Sequence, residues 1–83
     1  LKVEVKLYAS LGKYLPEGAV SNVAKLDIED GTTPMDIITE WGVPPESCHL
    51  VLINGSYVEP SVRASHALQE GDALAIWPPV AGG

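Results

Sequence analysis

Few residues in this sequence could carry side-chain chemistry. His49 and His66 are its two imidazoles, and neither has a second ligand-type residue at metal-binding spacing. Cys48 stands beside His49 and would make a tempting nucleophile. Neighbouring strand residues point to opposite faces, however, so the two do not converge, and a small semi-buried thiol is the better reading. Glu29 and Asp30 close an alternating run just before Gly31 and read as solvated turn residues. No phosphate-cradling glycine loop occurs, since "NGS" and "EGD" are turn signals. What remains is the stretch "IWPPVAGG", from Ile76 to Gly83.

That stretch suits a different chemistry. Pro78 and Pro79 hold an extended exit and carry no N–H, so a sheet ladder stops there. Val80 and Ala81 are small, and Gly82 and Gly83 have no side chain, so a thin peptide could thread a narrow channel and press against a nucleotide. Its reactive group would be the Gly83 carboxylate, which must be activated before it can be transferred. Adenylation by ATP is the obvious route, giving a mixed anhydride open to sulfur or nitrogen. The expected division is a folded unit over 1–79 and a flexible tail over 80–83.

Trp77 stands at the root of that tail. If Leu74 and Ile76 face a core, strand alternation sends Ala75 and Trp77 to the opposite, uncovered face. A large aromatic there marks a partner surface, with Tyr57, Pro78, Pro79, Val80 and Ala81 around it. The competing reading lays Trp77 on the sheet beside the 8–20 loop with no partner at all.

Composition narrows the classes. The 83 residues make one small domain with little room for an internal active-site cavity. A net charge of −6 disfavours nucleic acid and anionic membranes and suits a protein partner with a basic docking surface. One cysteine allows neither an internal disulfide nor a multi-cysteine zinc site, which favours a reducing, cytoplasmic setting. No apolar run reaches bilayer length, and no signal-peptide pattern opens the sequence. No permanently bound cofactor is expected.

The elements that must position Trp77 are legible from pattern. "LKVEVKLYA" alternates, with Leu1, Val3, Val5 and Leu7 on one face and Lys2, Glu4, Lys6 and Tyr8 on the other. "VAKLDIED" alternates again and pairs antiparallel with it. Thr33 as N-cap, Pro34 at the first helical position and Asp36 two residues on form an acidic capping box for a helix over 34–42, stopped by Gly42. "HLVLI" and "SYVEP" flank Asn54-Gly55, a strong hairpin signal, and "ALAIW" is the last strand. The expected core is Val3, Val5, Leu7, Leu26, Ile28, Ile38, Leu74 and Ile76. Two hairpins around one helix, with the first and last strands central, predict an α+β fold: a β-grasp, ubiquitin-like mixed sheet with the helix on one face.

With that order in place, the sequence resembles the MoaD/ThiS family of ubiquitin-like sulfur carriers over nearly its full length. The likeness rests on "VKLYASLGKYLP", "LVLINGSYV", the L-x-x-GD-x-L approach and, most specifically, "PPVAGG". The proline pair and the long 8–20 loop are most similar to the small subunit of molybdopterin synthase. Gly12 departs from the pattern, standing where many relatives carry Arg, with Lys13 as the neighbouring cation. The resemblance implies that an E1-like enzyme adenylates Gly83 with ATP and that a sulfur donor displaces AMP to leave a thiocarboxylate. A molybdopterin synthase large subunit, or an equivalent acceptor enzyme, would then take the sulfur. The chain would be a co-substrate and not a catalyst. Carriers for thiamine, cysteine or tRNA thiolation, a lysine-conjugating modifier and a plain interaction domain remain as alternatives.

Overall fold

The computed structural model describes residues 1–79. Its strands are β1 (Lys2–Leu7), β2 (Val23–Asp27), β3 (Leu50–Ile53), β4 (Ser56–Tyr57) and β5 (Ala73–Trp77), with one α-helix, α1 (Pro34–Glu40). They form a single mixed sheet in the order β2-β1-β5-β3-β4. β1 pairs antiparallel with β2 and parallel with β5, and β3 pairs antiparallel with both β4 and β5. This is the β-grasp arrangement, with α1 over one face of the sheet. Short 3-10 segments at Ala9–Tyr14, Pro45–Ser47 and Pro60–Val62 fill the connections.

The helix begins as its capping residues dictate. Asp36 N donates to Thr33 Oγ1 at 3.2 Å, and Thr33 N donates to Asp36 Oδ2 at 2.9 Å, so these two donors of the helix start are satisfied reciprocally. Its end differs from the expected residue 42, because α1 stops at Glu40 with Trp41 as its C-cap. Gly42 takes a positive φ of 72°, which lets Gly42 N reach Thr39 O and Val43 N reach Ile38 O. That pair of bonds closes the last turn, and Val43 packs back into the core with Ile38. Asn54 and Gly55, with φ of 51° and 83°, form the tight turn between β3 and β4. The returning strand is shorter than "SYVEP" suggests, spanning Ser56–Tyr57 alone.

Val3, Val5, Leu7, Ile38, Leu74 and Ile76 are buried as expected. Leu26 and Ile28 are only half-buried and sit at the margin of the core. The cause is position: Leu26 lies near the end of the edge strand β2 and Ile28 just beyond it, so these two larger side chains are covered from one side only. The core is completed by residues from elsewhere, including Leu11, Ile37, Val51, Val58 and Leu68. Among the described residues, no helix is long and apolar enough to cross a membrane.

Val5 is fully buried between Ala24 of β2 and Leu74 of β5. An unpaired carboxylate there costs several kcal/mol, comparable with the whole stability of a small domain, ~5 kcal/mol at the low end. Val5→Asp is therefore expected to abolish the cooperative thermal transition seen by circular dichroism. A melt close to that of the parent would contradict this packing.

Candidate functional site

β5 has the burial pattern that its alternation requires. Leu74 and Ile76 are fully buried against the helix side, Ala73 and Ala75 are half-buried, and Trp77 is 39% exposed on the open face. The end of the strand is tied from both sides. Tyr8 N donates to Ile76 O at 3.1 Å from the β1 edge, and His49 N donates to Trp77 O at 3.0 Å from the β3 edge. Beyond these bonds come Pro78 and Pro79, which have no N–H to continue the ladder.

The Trp77 indole lies flat on the Tyr8 ring, with centroids 3.8 Å apart and planes 7° from parallel. Tyr8 is itself held firmly, since Leu11 N donates to Tyr8 O at 3.0 Å as the chain turns into the Ala9–Tyr14 segment. The stack therefore fixes the orientation of Trp77 within the domain. One part of the self-contained reading holds: Trp77 does lie against the residue that opens the 8–20 loop. The indole nevertheless keeps an accessible face.

Around it the open face of the sheet is apolar over β5, β3 and β4. Leu50 is in register with Trp77, Leu52 with Ala75, and Tyr57 with Leu52. Val51 and Ile53 are buried on the helix side, so alternation puts Leu50 and Leu52 on the Trp77 side. Tyr57 is 53% exposed. The structure thus places Tyr57 and Trp77 on one face, across β3 from each other. Pro78 is half-buried and Pro79 exposed at its margin. Val80, Ala81, Gly82 and Gly83 lie outside the described residues. Leu50, Leu52 and Tyr8 belong to the same surface and were not singled out in the sequence. Tyr8 had a signal there, since its position in the alternating run puts it on the Trp77 face.

The thiol is remote from this surface in chemical character. Cys48 is buried, with its Sγ 3.6 Å from Pro44 O. Burial pushes its pKa up, the Arg63 guanidinium draws it partly back, and Glu46 adds to the rise. Arg63, which no local pattern announced, is itself only 4% exposed and donates from Nη1 to Cys48 O at 2.8 Å and from Nε to Val58 O at 3.2 Å. This is a structural tie between loop carbonyls. Among the described residues, no three His, Cys, Asp or Glu side chains gather at metal-binding distance.

Known proteins give the arrangement a context. Residues 7–83 match the model of the ThiS family. The crystal structure of SAMP1 from Haloferax volcanii superposes with a TM-score of 0.66 at 27% identity, covering 99% of each chain. A putative molybdopterin converting factor subunit 1 from Pyrococcus furiosus gives a TM-score of 0.68 at 21% identity, over 96% of this chain and 99% of that one. A complex of subunits 1 and 2 of molybdopterin-converting factor from Helicobacter pylori gives 0.56 at 18% identity, over 100% of both chains. No curated protein is a significant sequence match.

The state of the thiol has a measurable consequence. Its pKa is raised in the folded protein, so the unfolded chain ionises first as pH rises. The contribution of the buried neutral thiol is thus complete at neutral pH and is lost as pH climbs past the ordinary value of 9.0. Denaturant titrations at several alkaline pH values should show the parent losing stability more steeply than Cys48→Ala. Parallel profiles would remove the buried-thiol assignment.

Proposed function

The chain belongs to the ThiS family of small ubiquitin-like sulfur carriers, and from that premise we propose that Gly83 is its working residue. The Gly83 carboxylate attacks the α-phosphorus of ATP in the site of an E1-like enzyme, pyrophosphate leaves, and an acyl adenylate forms. Sulfide, or the sulfur of a persulfide donor, then attacks the carbonyl carbon and AMP departs. A persulfide leaves an acyl disulfide, which a thiol reduces to the thiocarboxylate. The carrier contributes no acid, base or metal to these steps. It presents an acyl group and lets the partner's site orient it.

The observation that carries this reading is the construction at the end of β5. Two backbone bonds and a ring stack fix Trp77, and two prolines then interrupt the ladder. The sequence beyond them is "VAGG". Such a rigid root gives a docked partner a fixed point of attachment ahead of the small-residue segment. We assign the apolar surface of Tyr57, Trp77, Pro78 and Pro79 to the partner interface, together with Val80 and Ala81 that follow in sequence. The acceptor is most simply a molybdopterin synthase large subunit. In support, a similar fold from Helicobacter pylori occurs in a complex of subunits 1 and 2 of molybdopterin-converting factor.

Incubation of the protein with an E1-like enzyme, ATP and sulfide should raise its intact mass by about 16 Da, one oxygen replaced by sulfur. Deleting Gly83, or extending the chain past it, should abolish the gain and leave the thermal transition unchanged. Adducts on lysines of other proteins in place of the thiocarboxylate would favour a modifier. No mass change with any activating enzyme would defeat the carrier reading.

Trp77→Ala is expected to weaken partner binding by about 2 kcal/mol, the usual cost of truncating a buried interface aromatic. Because the variant also loses the Tyr8 stack, its own stability should fall by roughly 1 kcal/mol. Calorimetric titration against the large subunit separates the two effects. Undiminished affinity would mean that the tail alone is recognised.

A further inference from the structure

The far edge of the sheet carries a second surface, on the side of α1 and away from Trp77. A groove of about 300 Å³ runs between β2 and the helix, floored by Leu26, Ile28, Ile37 and Trp41. Glu29 and Glu40 stand around it, and no basic side chain lines it. Leu26, Ile28 and Trp41 are all half-buried, so the apolar floor is open along its length.

The backbone beside this groove is unpaired on one side. Leu1 and Ile28 exchange hydrogen bonds at one end of the β1–β2 ladder, and Leu7 N donates to Asn22 O at the other. Antiparallel ladders alternate, so Leu26 and Ala24 face their groups toward β1, while Lys25 and Asp27 turn theirs outward. Outward-facing Val23 is already occupied, since it exchanges bonds with Val20, and Glu29 O accepts from Thr32. The free edge is therefore short and bounded: the N–H and C=O groups of Lys25 and Asp27.

We propose that this edge and groove bind an extended segment of another protein, with β-branched residues at alternate positions and Lys or Arg at its ends. The segment adds as a strand beside β2. Its backbone pairs with Lys25 and Asp27, alternate side chains enter the groove, and its flanking cations meet Glu29 and Glu40. Charge selects this occupant over a second copy of the chain, which would bring a further net charge of −6 to an acidic rim. The surface is separate from the one assigned to sulfur transfer, so either can fail without the other.

The probe is a synthetic peptide alternating valine with threonine, capped at both ends by lysines, titrated into the isotope-labelled full chain. Expected are slowed amide exchange at Lys25 and Asp27 and a shift of the Trp41 indole signal. A glutamate-capped version should bind roughly tenfold more weakly, as the loss of a few exposed ion pairs implies. Glu29→Lys combined with Glu40→Lys should reverse that preference; both positions are exposed, and the peptide comparison on the parent chain stands without the variant. Trp77→Ala should bind the lysine-capped peptide as the parent does. The proposal is overturned by unchanged signals at millimolar peptide, by shifts centred on Leu50 and Trp77, by equal binding of the two peptides, or by self-association through β2.

Discussion

The parallel register of β1 on β5 is the constraint on which the other features depend. It sets Val5 beside Leu74 and Leu7 beside Ile76, and all four side chains are fully buried beneath the helix. Parallel neighbours cannot be joined by a tight turn, so the chain between Leu7 and Ala73 must cross over, and it carries β2, α1, β3 and β4 as it does. The same register decides where the end of β5 arrives. Ile76 pairs with Leu7, the bond from Tyr8 N to Ile76 O adds one further rung, and Trp77 therefore lies beside Tyr8. A slip of one residue would turn Trp77 inward and Ile76 out, destroying core and surface together.

Arg63 performs the corresponding task for the irregular part of the chain. Backbone carbonyls outside the ladders need donors, and a helix start needs an acceptor for its free N–H groups. Arg63 meets three such needs from one position. Its side chain binds the carbonyls of Val58 and Cys48, and its own carbonyl accepts from Met35 N at 3.0 Å, in the first turn of α1. The segment after β4, the approach to β3 and the start of the helix are thus held to one residue. The cost is a buried cation whose Nη2 finds no acceptor among the described residues, a penalty of about 1–3 kcal/mol for the unmade bond. A small domain tolerates that because no ladder reaches these loops.

What was legible in the sequence was whatever has a local cause. Thr33, Pro34 and Asp36 announce a helix start because the capping bonds span three residues, and Asn54-Gly55 announces a hairpin because both positions need positive φ. Alternation in the first and last strands gave the two faces of the sheet, including the exposure of Trp77. Features set through space were harder. Leu26 and Ile28 alternate as core residues do, yet nothing local tells an edge strand from a central one. Leu11 and Leu68 lie in irregular connections with no period to mark them. Arg63 reads as a surface cation until the loops it ties are folded around it. The Tyr8–Trp77 stack needed both the parity of β1, which was visible, and the register of β5, which was not.

The distribution of charge then separates the two sides of the molecule. On the open face, Lys2 opposes Asp27 and Glu4 opposes Lys25 across the β1–β2 ladder, and Lys6 lies beside Ala75. Opposite charges in register are mildly favourable and leave the open side of β1 and β2 with three lysines to two carboxylates. The excess acid of the chain must therefore lie elsewhere, in the turns and on the helix side, where Glu29, Asp30, Asp36 and Glu40 follow closely in sequence. A net charge of −6 had suggested a basic partner for the whole protein. At Trp77 that expectation loses its footing, because the surrounding residues are apolar and the nearest charged strands are close to neutral. The recognition proposed there would rest on ring packing and on the direction in which Pro78 and Pro79 leave the sheet. Attraction of basic groups would act instead along the helix side, so the two proposed surfaces would select partners by different physics.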